Sequence, residues 1–92
     1  MSSVLTVEQK IRRVEGFRAH IKHPHGADVR SDRQHLPVYP YDRAAAGNWT
    51  VERWKHERFR IRYPGFEVDV VLRNGESARG NTRLETVRRT YD

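Results

Sequence analysis

"FRIRYPGFEVDVVLRNGESAR", residues 59–79, is the stretch on which the fold turns. Phe59, Ile61 and Tyr63 alternate with Arg58, Arg60 and Arg62, and then Phe66, Val68, Val70 and Leu72 alternate with Glu67 and Asp69. Successive side chains of a β-strand point to opposite faces, so a period of two reads as a half-buried strand. Pro64-Gly65 and Asn74-Gly75 punctuate the run, and Asn-Gly is the strongest short hairpin signal. Strands are therefore expected over 59–63, 66–72 and 76–79.

Registers follow from side-chain chemistry. A hairpin closing at Pro64-Gly65 sets Arg62 opposite Glu67, Ile61 opposite Val68 and Arg60 opposite Asp69, apolar with apolar and charge with opposite charge. At Asn74-Gly75 a two-residue turn places Arg79 opposite Val70 on the core face. A three-residue loop over Arg73 to Gly75, with Gly75 left-handed, instead sets Ala78 opposite Val70 and Arg79 opposite Asp69. The apolar pairing favours the longer loop.

Working outward, "LTVEQKIRRVEG" (5–16) has helical periodicity, with Val7, Ile11 and Val14 on one face. Thr6 and Gln9 form a candidate capping box, and Gly16 is a natural stop. "FRAHIKH" (17–23) alternates as a strand, with Phe17, Ala19 and Ile21 inward. "DRAAAG" (42–47) suits one helical turn, and "TVERWKHER" (50–58) a helix capped by Thr50. "NTRLETVRRTY" (81–91) closes the chain as a helix with a Thr82–Glu85 capping box and Leu84, Val87 and Tyr91 inward. The fold class expected is α+β: one small domain over 1–92, with an antiparallel sheet of about four strands covered on one face by two or three helices. Trp54, Phe59, Ile61, Phe66, Val68, Val70, Leu84 and Val87 form the expected core. Open sheet edges leave a place for a second copy of the chain, so a homodimer fits this reading, although no residue demands it.

Composition bounds the function. The chain has 92 residues, 36% of them hydrophobic and 33% charged, with a net charge of +6. Its mean hydropathy is -0.93 and its pI about 10.3. Interspersed charges with aromatics present favour a folded domain over a disordered one. Without cysteine there is neither a disulfide nor a cysteine-ligated zinc. No apolar run is long enough for a signal peptide or membrane span, so a cytoplasmic protein with no membrane partner is expected. A domain this basic is a nucleic-acid candidate. Fifteen of its eighteen basic residues are arginine, the side chain suited to bidentate phosphate contacts.

"KHPHGADVRSDRQH" (22–35) brings together His23, His25, Asp28, Asp32 and His35. The spacing matches no helical ligand motif, and Pro24, Gly26 and the aspartates are turn formers, so a polar loop is expected, with no metal or other cofactor. His56-Glu57 lacks the second histidine of a zincin, and no serine sits in a nucleophile elbow, so no catalytic residue is assigned.

"GFEVDVVLRNG" resembles the acidic strand of PD-(D/E)xK nucleases, with Glu67 and Asp69 as the acids. That family needs Glu-x-Lys on the next strand, and "ESARG" supplies no lysine. The run "RFRIRYPGFEVDVVL" with the tail "VRRTY" resembles RelE/ParE-type toxins, whose RelE-like members cleave messenger RNA on the ribosome. That resemblance implies Arg60, Arg62, Arg88 and Tyr91 as the working side chains. It covers only the last third, and the opening strand and helical hairpin of that family are absent.

The reading favoured by charge and pattern is a non-enzymatic binding module. Its basic sheet face (Arg58, Arg60, Arg62) and C-terminal helix (Arg83, Arg88, Arg89) contact nucleic-acid phosphates, and interleaved Tyr and Trp offer stacking. The alternatives are an interaction module for an acidic protein partner and a RelE-like ribonuclease.

Overall fold

The computed structural model describes residues 2–27, 29–30 and 35–92. Helix α1 spans Val4–Glu15. Its cap is Ser3 rather than Thr6: the Ser3 hydroxyl accepts from the Thr6 N–H at 3.2 Å. The earlier start brings Val4 into the buried stripe with Val7, Ile11 and Glu15. Gly16 stops the helix as expected, left-handed at φ 83°, with its N–H on the Arg12 carbonyl at 3.1 Å.

Strand β1 (Arg18–Lys22) pairs antiparallel with β2 (Glu67–Val71), from Arg18 opposite Val71 to Lys22 opposite Glu67. Ala19 faces Val70 and Ile21 faces Val68, all four buried with Phe17, as the alternation of both segments predicts. Polar partners take the other face: the Lys22 ammonium lies 2.8 Å from the Asp69 carboxylate.

The expected sheet of four strands is not formed. Among the described residues the sheet has two strands, and 59–63 is not one of them. Helix α2 (Val51–Trp54) starts at the Thr50 cap, as expected, and runs on without a break as a π-helical segment, Lys55–Arg60. The chain then closes with the Tyr63 N–H on the Phe59 carbonyl at 2.9 Å. The physical reason is the spacing of the large rings. Trp54 and Phe59 are five residues apart, which one π turn brings onto the same side, and Tyr63 follows four residues later. All three are buried, with ring centres 6.3 Å apart for Trp54–Phe59 and 4.9 Å for Phe59–Tyr63. Ile61, assigned to the core by the strand reading, is instead 64% exposed, while Phe66 is only partly buried. Arg58, Arg60 and Arg62 therefore do not share a sheet face. Their expected hairpin with β2 is replaced by a tight turn at Tyr63–Phe66, with Gly65 at φ 88° and the Phe66 N–H on the Tyr63 carbonyl at 3.1 Å.

The second hairpin has the predicted register. The Leu72 N–H reaches the Glu76 carbonyl at 2.8 Å across a three-residue loop, and Gly75 is left-handed at φ 90°. The Ala78 N–H bonds the Val70 carbonyl at 2.8 Å. Pairing stops at a single bridge, Val71 to Ser77, so 76–79 is an arm rather than a strand. Asp69 bonds Lys22 instead of Arg60 or Arg79.

Helix α3 (Leu84–Arg89) has no side-chain cap, against the expected Thr82–Glu85 box. Backbone groups do that work instead. The Leu84 and Glu85 N–H groups donate to the Trp49 and Gly47 carbonyls at 2.8 and 3.0 Å. Reciprocally, the Val51 and Glu52 N–H groups donate to the Thr82 and Gly80 carbonyls at 2.8 and 2.9 Å. The starts of α2 and α3 thus satisfy one another's free donors. The approach is close at Gly47, where a Cβ would lie 3.1 Å from the Glu85 Cβ and would press α3 outward by a few tenths of an ångström. Residues 42–47 form no helical turn. Tyr91 ties the end of α3 to the sheet, its hydroxyl accepting from the Arg18 N–H at 3.1 Å and donating to the Val71 carbonyl.

Two outcomes follow. Phe59→Ala lowers unfolding free energy by about 3–5 kcal/mol and Ile61→Ala by less than about 0.5 kcal/mol in urea titrations; comparable losses at both positions would restore the strand. Partial burial pushes the Asp69 carboxyl up, but the Lys22 hydrogen bond and charge hold it net below the ordinary carboxylate range. A depressed folded pKa gives stability that is present above the unfolded value and lost as pH falls through the folded one. Asp69→Asn therefore flattens the stability–pH curve below about pH 4, by no more than about 1 kcal/mol.

Candidate nucleic-acid interface

The candidate surface is built on a buried acid. Glu15 lies four residues after Ile11 in the stripe that α1 turns inward, and its side chain is wholly inaccessible. Its Oε2 accepts from Arg58 Nη1 at 2.7 Å and from the Tyr39 hydroxyl at 2.6 Å. Its Oε1 accepts from the Ala45 N–H at 2.9 Å and Arg88 Nη2 at 3.2 Å. Arg88 Nε also holds the Glu15 carbonyl at 2.6 Å, and Trp54 Nε1 donates to the Tyr39 hydroxyl at 3.2 Å. Burial, followed by the hydrogen bond to the carboxylate, pushes the Tyr39 phenol pKa well up, so Tyr39 stays a neutral donor. Partial burial lowers the Arg58 pKa, but its bond to Glu15 raises it further, so the guanidinium remains charged.

This network explains the irregular segment before α2. The Ala45 N–H is directed at Glu15, and the Arg43 carbonyl accepts from Arg58 Nη1 at 2.7 Å. Both groups are thereby withdrawn from any helical turn over 42–47.

On its outer side Arg58 enters a row of rings and cations. Its guanidinium carbon lies 4.2 Å from the Tyr41 ring centre and 5.7 Å from that of Trp49. Arg53 stands 4.3 Å from Trp49, and Arg62 stands 5.8 Å from Tyr41. The sequence of groups is Arg53, Trp49, Arg58, Tyr41, Arg62, a cation at each end and one between the rings. Tyr41 and Trp49 are half-buried, whereas Arg53 and Arg62 are exposed. Among the described residues neither exposed arginine has a carboxylate in ion-pair contact.

The arginines singled out in the sequence thus divide. Arg58 and Arg88 are held by Glu15, and Arg60 is held by Glu52 at 2.6 Å and Glu67 at 3.2 Å. The Arg60 hydrogen bond keeps the Glu52 carboxyl below its ordinary range. Arg62 and Arg89 are exposed, as is Arg83, which has a loose contact with Glu85 at 3.8 Å. Sequence reasoning missed Arg53, because Trp49 lies before the Thr50 cap and their contact is not a helical i, i+4 pair that periodicity could reveal. Arg60, Arg88 and Tyr91, implied by the toxin resemblance, each belong to a separate structural contact.

In the histidine-rich stretch, the His23 N–H bonds the Ala27 carbonyl at 2.8 Å and the Gly26 N–H bonds the His23 carbonyl at 2.9 Å. The rings of His23 and His25 stack 5.3 Å apart. Asp28 and Asp32 lie outside the described residues. No group of three potential ligands is gathered among the described ones. Comparison of the chain with protein-family models, curated proteins and solved structures finds no match.

Removing one partner of a buried ion cluster leaves uncompensated charge behind. Glu15→Gln therefore lowers unfolding free energy by about 3–5 kcal/mol, read from the denaturant midpoint. A change under about 1 kcal/mol would deny the cluster this role.

Proposed function

We propose that the chain is a nucleic-acid-binding module that takes a single strand along the row Arg53, Trp49, Arg58, Tyr41, Arg62. Two exposed, carboxylate-free arginines, Arg53 and Arg62, set against a pair of rings that Arg58 separates, carry this reading. Phosphates meet guanidinium groups at the ends of the row, and unstacked bases lie against the rings between them. Arg83, which precedes α3, and Arg89, within it, add exposed cations. The surface replaces the sheet face expected from sequence, since Arg58 to Arg62 lie on or after a helix. Among the described residues no recognition helix for duplex DNA supports sequence-specific readout. An acidic protein partner would meet the same cations but would make no particular use of rings set between them.

A second Arg–aromatic group, with Arg12 4.7 Å and Arg18 6.0 Å from the Tyr91 ring, is less suited. The Tyr91 hydroxyl is held by the sheet, and Glu8 lines the adjoining groove.

Fluorescence anisotropy with short single-stranded DNA and RNA over a salt series tests the reading. Affinity should fall linearly in log–log form, with slope about −0.7 per phosphate contacted. Arg53→Gln and Arg62→Gln should each reduce the slope by about 0.7 while shifting the melting temperature by no more than a few degrees. No binding at about 50 mM salt, or slopes unchanged in both variants, would overturn it.

A further inference from the structure

We propose, resting on the single-strand reading above, that the cleft beside Arg62 is a pocket for one nucleobase of the bound strand. The cleft has a volume of about 510 Å³ and is lined by His35, Leu36, Pro37, Arg62, Tyr63, Pro64 and Phe66. That volume falls within the range of small-ligand sites, roughly 300–1,000 Å³.

Both walls are fixed. Leu36 is anchored by a two-bond bridge to Ser2, with N–H to carbonyl distances of 2.8 and 3.0 Å. The opposite wall is the Tyr63–Phe66 turn, closed at 3.1 Å.

Three irregularities meet at this cleft. Arg62 is exposed and without a carboxylate partner among the described residues, and it also stands 5.8 Å from the Tyr41 ring. One guanidinium therefore joins the end of the arginine–aromatic row to the mouth of the cleft. Tyr63 is 1% exposed, and its hydroxyl is buried with no hydrogen-bond partner. A hydroxyl left without a partner is costly, and a ligand acceptor would offset that cost once a small shift of the Tyr63 ring opened the hydroxyl to the cleft. His35 holds a left-handed backbone at φ 72°, found at no other non-glycine residue among those described. Strained backbone of this kind clusters at ligand sites.

Apolar walls suit a flat ring, Arg62 suits the phosphate attached to it, and the imidazole and phenol suit the polar edge of a base. These requirements describe a nucleotide unit, and the continuity through Arg62 places it in the strand that runs along the row.

The experiment compares a base-bearing single strand with an abasic strand of equal length and charge, for the wild type and two variants. The wild type should bind the base-bearing strand at least about fivefold more tightly. Pro37→Trp, which fills the cleft from an exposed position, should cut that preference by about fivefold while leaving abasic affinity and salt slope unchanged. Tyr63→Phe should leave the melting temperature unchanged or raised without nucleic acid, and should weaken only the base-bearing strand. A base preference unaltered by Pro37→Trp would overturn the pocket but leave stacking on Tyr41 and Trp49 standing. Destabilisation by Tyr63→Phe without nucleic acid would overturn the hydroxyl's part in it. Binding of neither strand by the wild type would overturn the single-strand reading itself.

Discussion

One buried carboxylate organises this chain. Glu15 sits at the last turn of α1 and is reached by a hydroxyl and a backbone N–H from the segment before α2, by Arg58 from the π-helical segment and by Arg88 from α3. Taking a carboxylate out of water costs several kcal/mol, and only charge of opposite sign with filled acceptor positions compensates for it. Four donors on two oxygens do so here. The network therefore fixes where the 39–45 segment runs, which way Arg58 turns and how α3 docks. Apolar packing of Phe17, Trp54, Val70 and Leu84 supplies the bulk of burial, but it carries no such directional demand.

That distinction explains which parts of the fold were legible. The strands 18–22 and 67–71 announce themselves because alternation over five residues with β-branched partners has one solution once a face is buried. The loop at Asn74-Gly75 was legible to the residue, because only one register kept Ala78 and Val70 together. The run 59–63 was not. Three apolar residues in five positions fit a strand, but Phe59 and Tyr63 alone fit a helix, and the choice between them lies in Trp54, five residues upstream. Whether Ile61 is buried depends on a tertiary contact that no local period encodes.

The polar network was harder still. A glutamate in an amphipathic helix ordinarily faces water, so Glu15 reads as surface unless its place in the Val4, Val7, Ile11 stripe is weighed. Its partners come from 24 to 73 residues away, and arginine content alone cannot separate those that fold the chain from those that face solvent. The capping of α3 was missed for a related reason, whereas the Thr50 cap of α2 was legible. The donors of α2 and α3 are met by each other's flanking backbone, which has no sequence signature.

Arg58 belongs to both populations at once. Its Nη1 is locked to Glu15 and the Arg43 carbonyl, while its planar group lies between the Tyr41 and Trp49 rings. Its Nη1 is committed to Glu15, a carboxylate it shares with Arg88, so it is poorly placed to hold a phosphate. What it contributes is rigidity. A guanidinium pinned from below holds Tyr41 and Trp49 at a set separation, and rings held in advance lose little conformational freedom when a ligand arrives. The exposed charge without a carboxylate partner among the described residues then sits at the ends, on Arg53 and Arg62, whose long side chains could follow the flexible polyanion proposed to bind. A rigid middle with adaptable ends is a consequence of where Glu15 lies, so the core and the proposed binding surface are not independent parts of this chain. A substitution that freed Arg58 without unfolding the domain would raise the charge of the surface and loosen the spacing of its rings at the same time.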